Sequence, residues 1–230
     1  MKVAIIKEIV KNYKRSLSST APQWDALYEY PVNFAQQSKV NDSILDTLKN
    51  TFKSQYTQRL WKTERYRPLE TFHLFYRHER EMIAEAMEAL YQPERALEDR
   101  IDLFRFLVKD ILLEIKKSMP HKHISDANWD MQWISLLLSA KAPLIHPFYH
   151  QKLFFEGAAI LEMKPSPSVD DYIRYSKMIN IILTFLEKED LIQGRLNSVS
   201  HGDNSVLDPS IKNVAVEALG LYTGIDIFNA

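Results

Sequence analysis

The stretch LEDRIDLFRFLVKDILLEI, residues 97 to 115, decides the fold class. Its apolar residues Leu97, Ile101, Phe104, Val108, Ile111, Leu112 and Ile115 recur every three or four positions, the spacing that lines one face of an α-helix. Met119-Pro120 stops the pattern, because proline has no N–H for the helical ladder. Upstream, Leu69 to Leu90 carries Phe72, Phe75, Tyr76, Ile83, Met87 and Leu90 at the same period, with Pro68 suited to a first turn. Gln92-Pro93 separates the two stretches. Two long amphipathic helices, packed antiparallel, follow from this spacing.

The same pattern extends in both directions. Trp129 to Ala140 is apolar all round and reads as a central helix capped by Ser125 or Asp126. Pro147 opens a helix through Phe154 and Ile160, and Lys164-Pro-Ser-Pro-Ser168 separates it from another over Val169 to Lys188. Further helices are expected near Val3 to Tyr13, Trp24 to Gln36, Asn41 to Lys53 and Pro209 to Tyr222, with Leu196 to Leu207 as a polar loop. Only five glycines occur, all from Gly157 onward, and strand signals are scarce. The expected fold is all-α, an irregular bundle of about eight helices. Residues 1–190 form the bundle, and residues 191–230, a polar loop and C-terminal helix, pack on the same domain.

Composition narrows the chemistry. The 230 residues contain 46% apolar and 26% charged side chains, a globular balance. The absence of cysteine removes disulfides, thiolate nucleophiles and thiolate metal sites, and suits a cytoplasmic protein. Neither a signal peptide nor a membrane anchor is read at the N-terminus, and no apolar run approaches the ~20 residues a spanning helix needs. The net charge of −1 conceals a dipolar layout. From Lys49 to Arg80 eight bases face three acids, whereas from Glu81 to Asp102 seven acids face two bases.

In order, these helices resemble the helical N-terminal region that precedes the AAA+ GTPase module in a subset of McrB-like, modification-dependent restriction proteins. Residues 20 to 190 carry the resemblance. Its segments are Gln23-Trp-Asp-Ala-Leu27, Asn33-Phe-Ala-Gln-Gln37, Leu74-Phe-Tyr76, Ala89-Leu-Tyr91, Leu97 to Phe104, and Trp133-Ile-Ser-Leu-Leu-Leu138 followed by Phe148-Tyr149. The chain lacks the Gly-x-x-x-x-Gly-Lys-Ser/Thr phosphate loop, so GTP or ATP hydrolysis is not expected of it. The resemblance implies a non-catalytic recognition or assembly domain of a restriction or antiviral defence system. Its partners would be DNA, or RNA, or an AAA+ GTPase, with no cofactor.

Basic residues interleave with aromatics in Phe52, Tyr56, Arg59, Trp61, Lys62, Arg65, Tyr66 and Arg67, a mixture that can grip phosphates while a ring stacks on a base. Arg59, Trp61, Lys62, Arg65, Tyr66 and Arg67 are therefore the candidate nucleic-acid contacts. The competing reading is a solvated connector whose aromatics pack inward.

Arg195 and His201, in Arg-Leu-Asn-Ser-Val-Ser-His-Gly, resemble the Arg-x4-6-His signature of HEPN ribonucleases. The resemblance implies metal-independent RNA cleavage, with His201 moving a proton and Arg195 stabilising phosphorane charge. On that alternative, removing Arg195 damages cleavage and spares the fold. Arg67 and His73 match the same spacing, so the pattern arises cheaply. His121, His123, Asp126 and Asp130, or His146 and His150, lack a complete metal-ligand spacing and read as surface or capping groups, so no metal is expected. Glu98-Asp99 and Asp170-Asp171 stand at helix starts, where the dipole favours acids. Trp24, Trp61, Trp129 and Trp133 read as core or interface rings.

Overall fold

A computed structural model describes residues 2–17, 22–54, 57–61, 68–119, 130–163, 171–199 and 211–228. Every regular element among them is a helix: α1 (Val3–Ser16), α2 (Ala26–Ser38), α3 (Ile44–Thr51), α4 (Pro68–His78), α5 (Arg80–Tyr91), α6 (Leu97–Ser118), α7 (Met131–Lys141), α8 (Gln151–Ile160), α9 (Tyr172–Glu187), α10 (Leu191–Val199) and α11 (Ile211–Thr223). Short 3-10 turns occupy Pro22–Asp25 and Thr57–Leu60. The all-α class is as expected, but the helices exceed the expected eight.

Two features account for much of the excess. The expected continuous helix from Leu69 to Leu90 is interrupted at Glu79, whose backbone (φ −133°, ψ 52°) leaves helical geometry. Phe72 and Phe75 on one side of the break and Ile83, Met87 and Leu90 on the other are all buried, so the bend lets both halves cover the core. The second feature is α10. Leu196 to Val199, expected in a polar loop, belong to this helix, because Leu191, Leu196 and Val199 bury against the rest of the domain.

α6 matches its pattern closely. Ile101, Phe104, Val108, Ile111, Leu112 and Ile115 form its buried face, and α5 packs along it. α7 is buried from Met131 to Ala140 apart from Gln132, as its all-round apolarity requires. Its cap is Asp130, whose carboxylate accepts the Trp133 N–H at 3.1 Å. Ser125 and Asp126, the expected caps, lie outside the described residues. Asp171 caps α9 in the same way, accepting the Arg174 N–H at 2.9 Å.

α8 starts at Gln151 rather than at Pro147, because residues 147–149 are tied to other elements and stay outside helical geometry. Asn213 Oδ1 accepts the Phe148 N–H at 3.3 Å, Ser135 Oγ accepts the Tyr149 N–H at 2.9 Å, and the hydroxyls of Tyr172 and Tyr175 donate to the Pro147 and Phe148 carbonyls. Buried backbone needs partners, and here side chains of three helices supply them.

Asn213 does further work in α2. Pro31 lies inside that helix and has no N–H, which leaves the carbonyl of Leu27 without its usual donor. Asn213 Nδ2 donates to that carbonyl at 2.9 Å. An interior proline is thus accommodated by a side chain 186 residues away.

One continuous core joins these elements. In one part of it Phe52 is ringed by Tyr30, Trp61, Phe72 and Trp133, with centroids 4.9 to 6.2 Å away. Elsewhere α11 packs on α1, α8, α9 and α10. Gly220 of α11 lies under Trp24, and a Cβ there would fall 2.2 Å from the indole ring. Trp24 is itself held edge-on against Phe228, with centroids 5.3 Å apart. Gly220→Ala should therefore destabilise the fold by about 1–3 kcal/mol despite alanine's better helix propensity, because a packed indole must move. Chemical denaturation checks this, and a variant as stable as the wild type would show that Trp24 yields freely.

Candidate functional site

The most elaborate polar constellation is buried, where α1, α2, α10 and α11 meet. Glu217 of α11 is fully buried, and its Oε2 accepts from Tyr28 at 2.5 Å, Arg195 Nε at 2.9 Å and Tyr13 at 3.4 Å. Arg195, 5% exposed, also donates from Nη2 to Asp25 at 2.7 Å and from Nη1 to Ser198 at 3.1 Å. Its guanidinium stands 5.0 Å from the centre of the Tyr28 ring, a cation–π contact. Among the described residues the other carboxylate oxygen, Oε1, has no partner.

The electrostatics follow from this burial. Burial raises the Glu217 carboxyl, while the Arg195 guanidinium and the Tyr28 hydroxyl pull it back only in part. Burial would lower Arg195, but Tyr28 and Glu217 outweigh it and hold the guanidinium cationic. Tyr13 and Tyr28 are raised by burial and then by Glu217, so both remain neutral donors. The cluster is an ion-pair network buried at Glu217 and Arg195 and reaching the surface at Asp25.

The sequence-derived candidates are therefore placed as follows. Arg195 faces Glu217 and Asp25, and not a cleft. His201 lies outside the described residues. Trp61, 2% exposed, packs on Tyr30 and Phe52, so its ring is turned inward and is not offered to a base. Phe52 is buried in the same cluster, and Arg59, two residues before Trp61, is half-buried. Tyr56, Lys62, Arg65, Tyr66 and Arg67 lie outside the described residues.

Among the described residues no three side chains of metal-ligating type converge. His121, His123 and Asp126 are outside them, and Asp130 is the α7 cap. His146 and His150, weighed as surface or capping groups, are both buried. His150 does cap α8, its Nδ1 accepting the Leu153 N–H at 3.4 Å. Burial, followed by the nearby Arg100 and Lys212, holds His146 down at about 4. Burial and Lys152 hold His150 down at about 4, against the opposing pull of Asp226. Both imidazoles are neutral core groups. No helix among the described residues is long and apolar enough to cross a membrane.

Two open concavities were not anticipated. One, of about 890 Å³, lies between α5, α6 and the residues leading into α3; Ile44, Ala84, Leu103 and Leu107 give it apolar walls, and Asp42, Glu85, Glu88, Arg95 and Lys141 give it charge. The other, of about 580 Å³, runs between α1 and the end of α9 and is lined by Lys7, Lys11, Lys14 and Lys188 around Val10 and Phe185. The sequence signal for the second was available in α1, where the three lysines recur at one helical face. Its completion by α9 was not.

A scan of family models and searches of curated proteins and solved structures find no match to the chain. An all-α bundle with a buried Arg–Glu pair extended to a half-buried Asp is the class that the fold and the site define.

Proposed function

We propose that this chain works by recognition or assembly and not by catalysis, holding DNA or a partner protein in the manner of the helical region of McrB-like restriction proteins. The setting would be a cytoplasmic defence system. The observation that carries the reading is the enclosure of Arg195. A guanidinium that neutralises Glu217 inside the core and Asp25 at its edge has a structural task, and stabilising phosphorane charge would require it to abandon both carboxylates, one of them fully buried. Buried ion pairs resist such exchange, because breaking one leaves an uncompensated charge behind. What the surface offers instead is concave, charged and open, as binding surfaces are.

The ribonuclease alternative supplies the test. Purified protein incubated with single-stranded RNA in EDTA should show no cleavage above buffer. Metal-independent cleavage that co-purifies with the protein, and that His201→Ala lowers by about a hundredfold while the circular dichroism stays native, would replace recognition with catalysis.

A further inference from the structure

We propose that the lysine groove between α1 and α9 holds the sugar–phosphate backbone of a nucleic acid, with Lys7, Lys11 and Lys14 set against successive phosphates. This rests on the recognition reading above and names its ligand and its surface. It also moves the nucleic-acid contacts away from the segment between Phe52 and Arg67, where both described aromatics turn inward.

Four cations line the groove, and among the described residues Glu189 is the acid that lines it with them. The lysines of α1 are exposed and stand at i, i+4 and i+7, about 10 Å from first to last along the helix axis. A nucleic-acid strand advances about 3.4 Å per phosphate along a duplex, so that length spans about three steps.

A helix-dipole explanation reaches only part of this set. Cations in the last turn of a helix are favoured by its C-terminal partial charge, which accounts for Lys14 in α1 and Lys188 at the C-cap of α9. Lys7 and Lys11 lie further back. As like charges one turn apart they repel, and a bound polyanion relieves that repulsion.

The floor fits the same ligand. Val10 is buried and Phe185 half-buried, giving apolar surface for the sugars and base faces that flank a phosphate. Lys188 Nζ lies 5.1 Å over the Phe185 ring, which keeps that cation at the groove. Lys14 Nζ is 3.2 Å from Glu189, but both side chains are about half exposed or more. An ion pair so open to water is weak, and phosphate can replace the carboxylate at little cost.

Fluorescence anisotropy with labelled single-stranded DNA, duplex DNA and single-stranded RNA, across 50 to 200 mM salt, tests the groove. The probes separate the sources of one phosphate chemistry. Wild-type protein should bind at least one of them, and Lys7→Gln with Lys11→Gln should weaken that binding by about tenfold or more and flatten the salt dependence by about one and a half units. Lys152→Gln with Lys177→Gln, exposed lysines elsewhere, should leave it unchanged.

Loss on Arg65→Gln with Arg67→Gln and none on the groove variant would overturn the groove and keep the recognition reading. Binding of an acidic peptide through Lys7 and Lys11 without binding of any nucleic acid would also overturn it, as would the absence of binding to all three probes. None of these three results bears on catalysis, which the RNA-cleavage assay decides separately.

Discussion

Arg195→Met should destabilise this protein by about 3–5 kcal/mol, the usual cost of removing one member of a buried ion pair. Arg195 is 5% exposed and Glu217 is fully buried, so water cannot take over the contact that Glu217 loses. Glu217 would keep the hydroxyls of Tyr13 and Tyr28 but lose its one neutralising cation among the described residues, and Asp25 would lose its donor at 2.7 Å. For a chain of this length the change corresponds to a fall of about 6–20 °C in Tm. Arg195→Met combined with Glu217→Leu should recover part of the loss, since it removes the buried stranded charge while leaving the Tyr13 and Tyr28 hydroxyls without their acceptor. Equal damage in the single and double variants would show that packing, and not charge pairing, is what Arg195 provides. This reverses the expectation that Arg195 can be removed without harm to the fold.

Acid should destabilise the protein through His146 and His150, in a window that their shifts define. Both imidazoles are buried and held at about 4, whereas an unfolded chain titrates them near the ordinary 6.5. Between those values the unfolded state binds protons that the folded state refuses. The stability due to neutral burial is therefore fully present above pH 6.5, declines as pH falls, and is gone below about 4. Each histidine contributes up to about 3 kcal/mol across the window, since one pKa unit corresponds to about 1.4 kcal/mol. Urea midpoints measured from pH 7.5 to 4 should fall with a slope that His146→Phe reduces and that His146→Phe with His150→Asn reduces further. Asparagine keeps an acceptor for the α8 cap, so the second change is directed at titration more than at capping. An unaltered slope in the double variant would assign acid lability to carboxylates instead.

The helices of this protein are determined locally, and that is why they are legible. Ile101, Phe104, Val108, Ile111 and Ile115 sit on one face because 3.6 residues make a turn, and all five are buried. The all-round apolarity of Trp133 to Ala140 likewise makes α7 a central helix wherever its neighbours come from. Exact ends are less local. α8 begins late because Asn213, Ser135 and two tyrosines bind the backbone of residues 147–149, and α2 tolerates Pro31 because Asn213 reaches the Leu27 carbonyl.

The roles of Arg195, Trp61 and the groove lysines were decided by tertiary structure, whereas helix caps such as Asp171 and His150 are local. Arg195 lies in a polar stretch of sequence and has the spacing of a catalytic signature, yet its position is governed by Glu217, Asp25 and Tyr28, the last two on elements about 170 residues away. Trp61 stands among basic residues and turns inward because Tyr30 and Phe52 offer it a ring-lined slot. The lysine groove needs α9 beside α1, a pairing that no periodicity within either segment encodes. Periodicity tells which face of a helix leaves water; what that face meets depends on long-range packing, and the chemistry of a buried cation is set by what it meets.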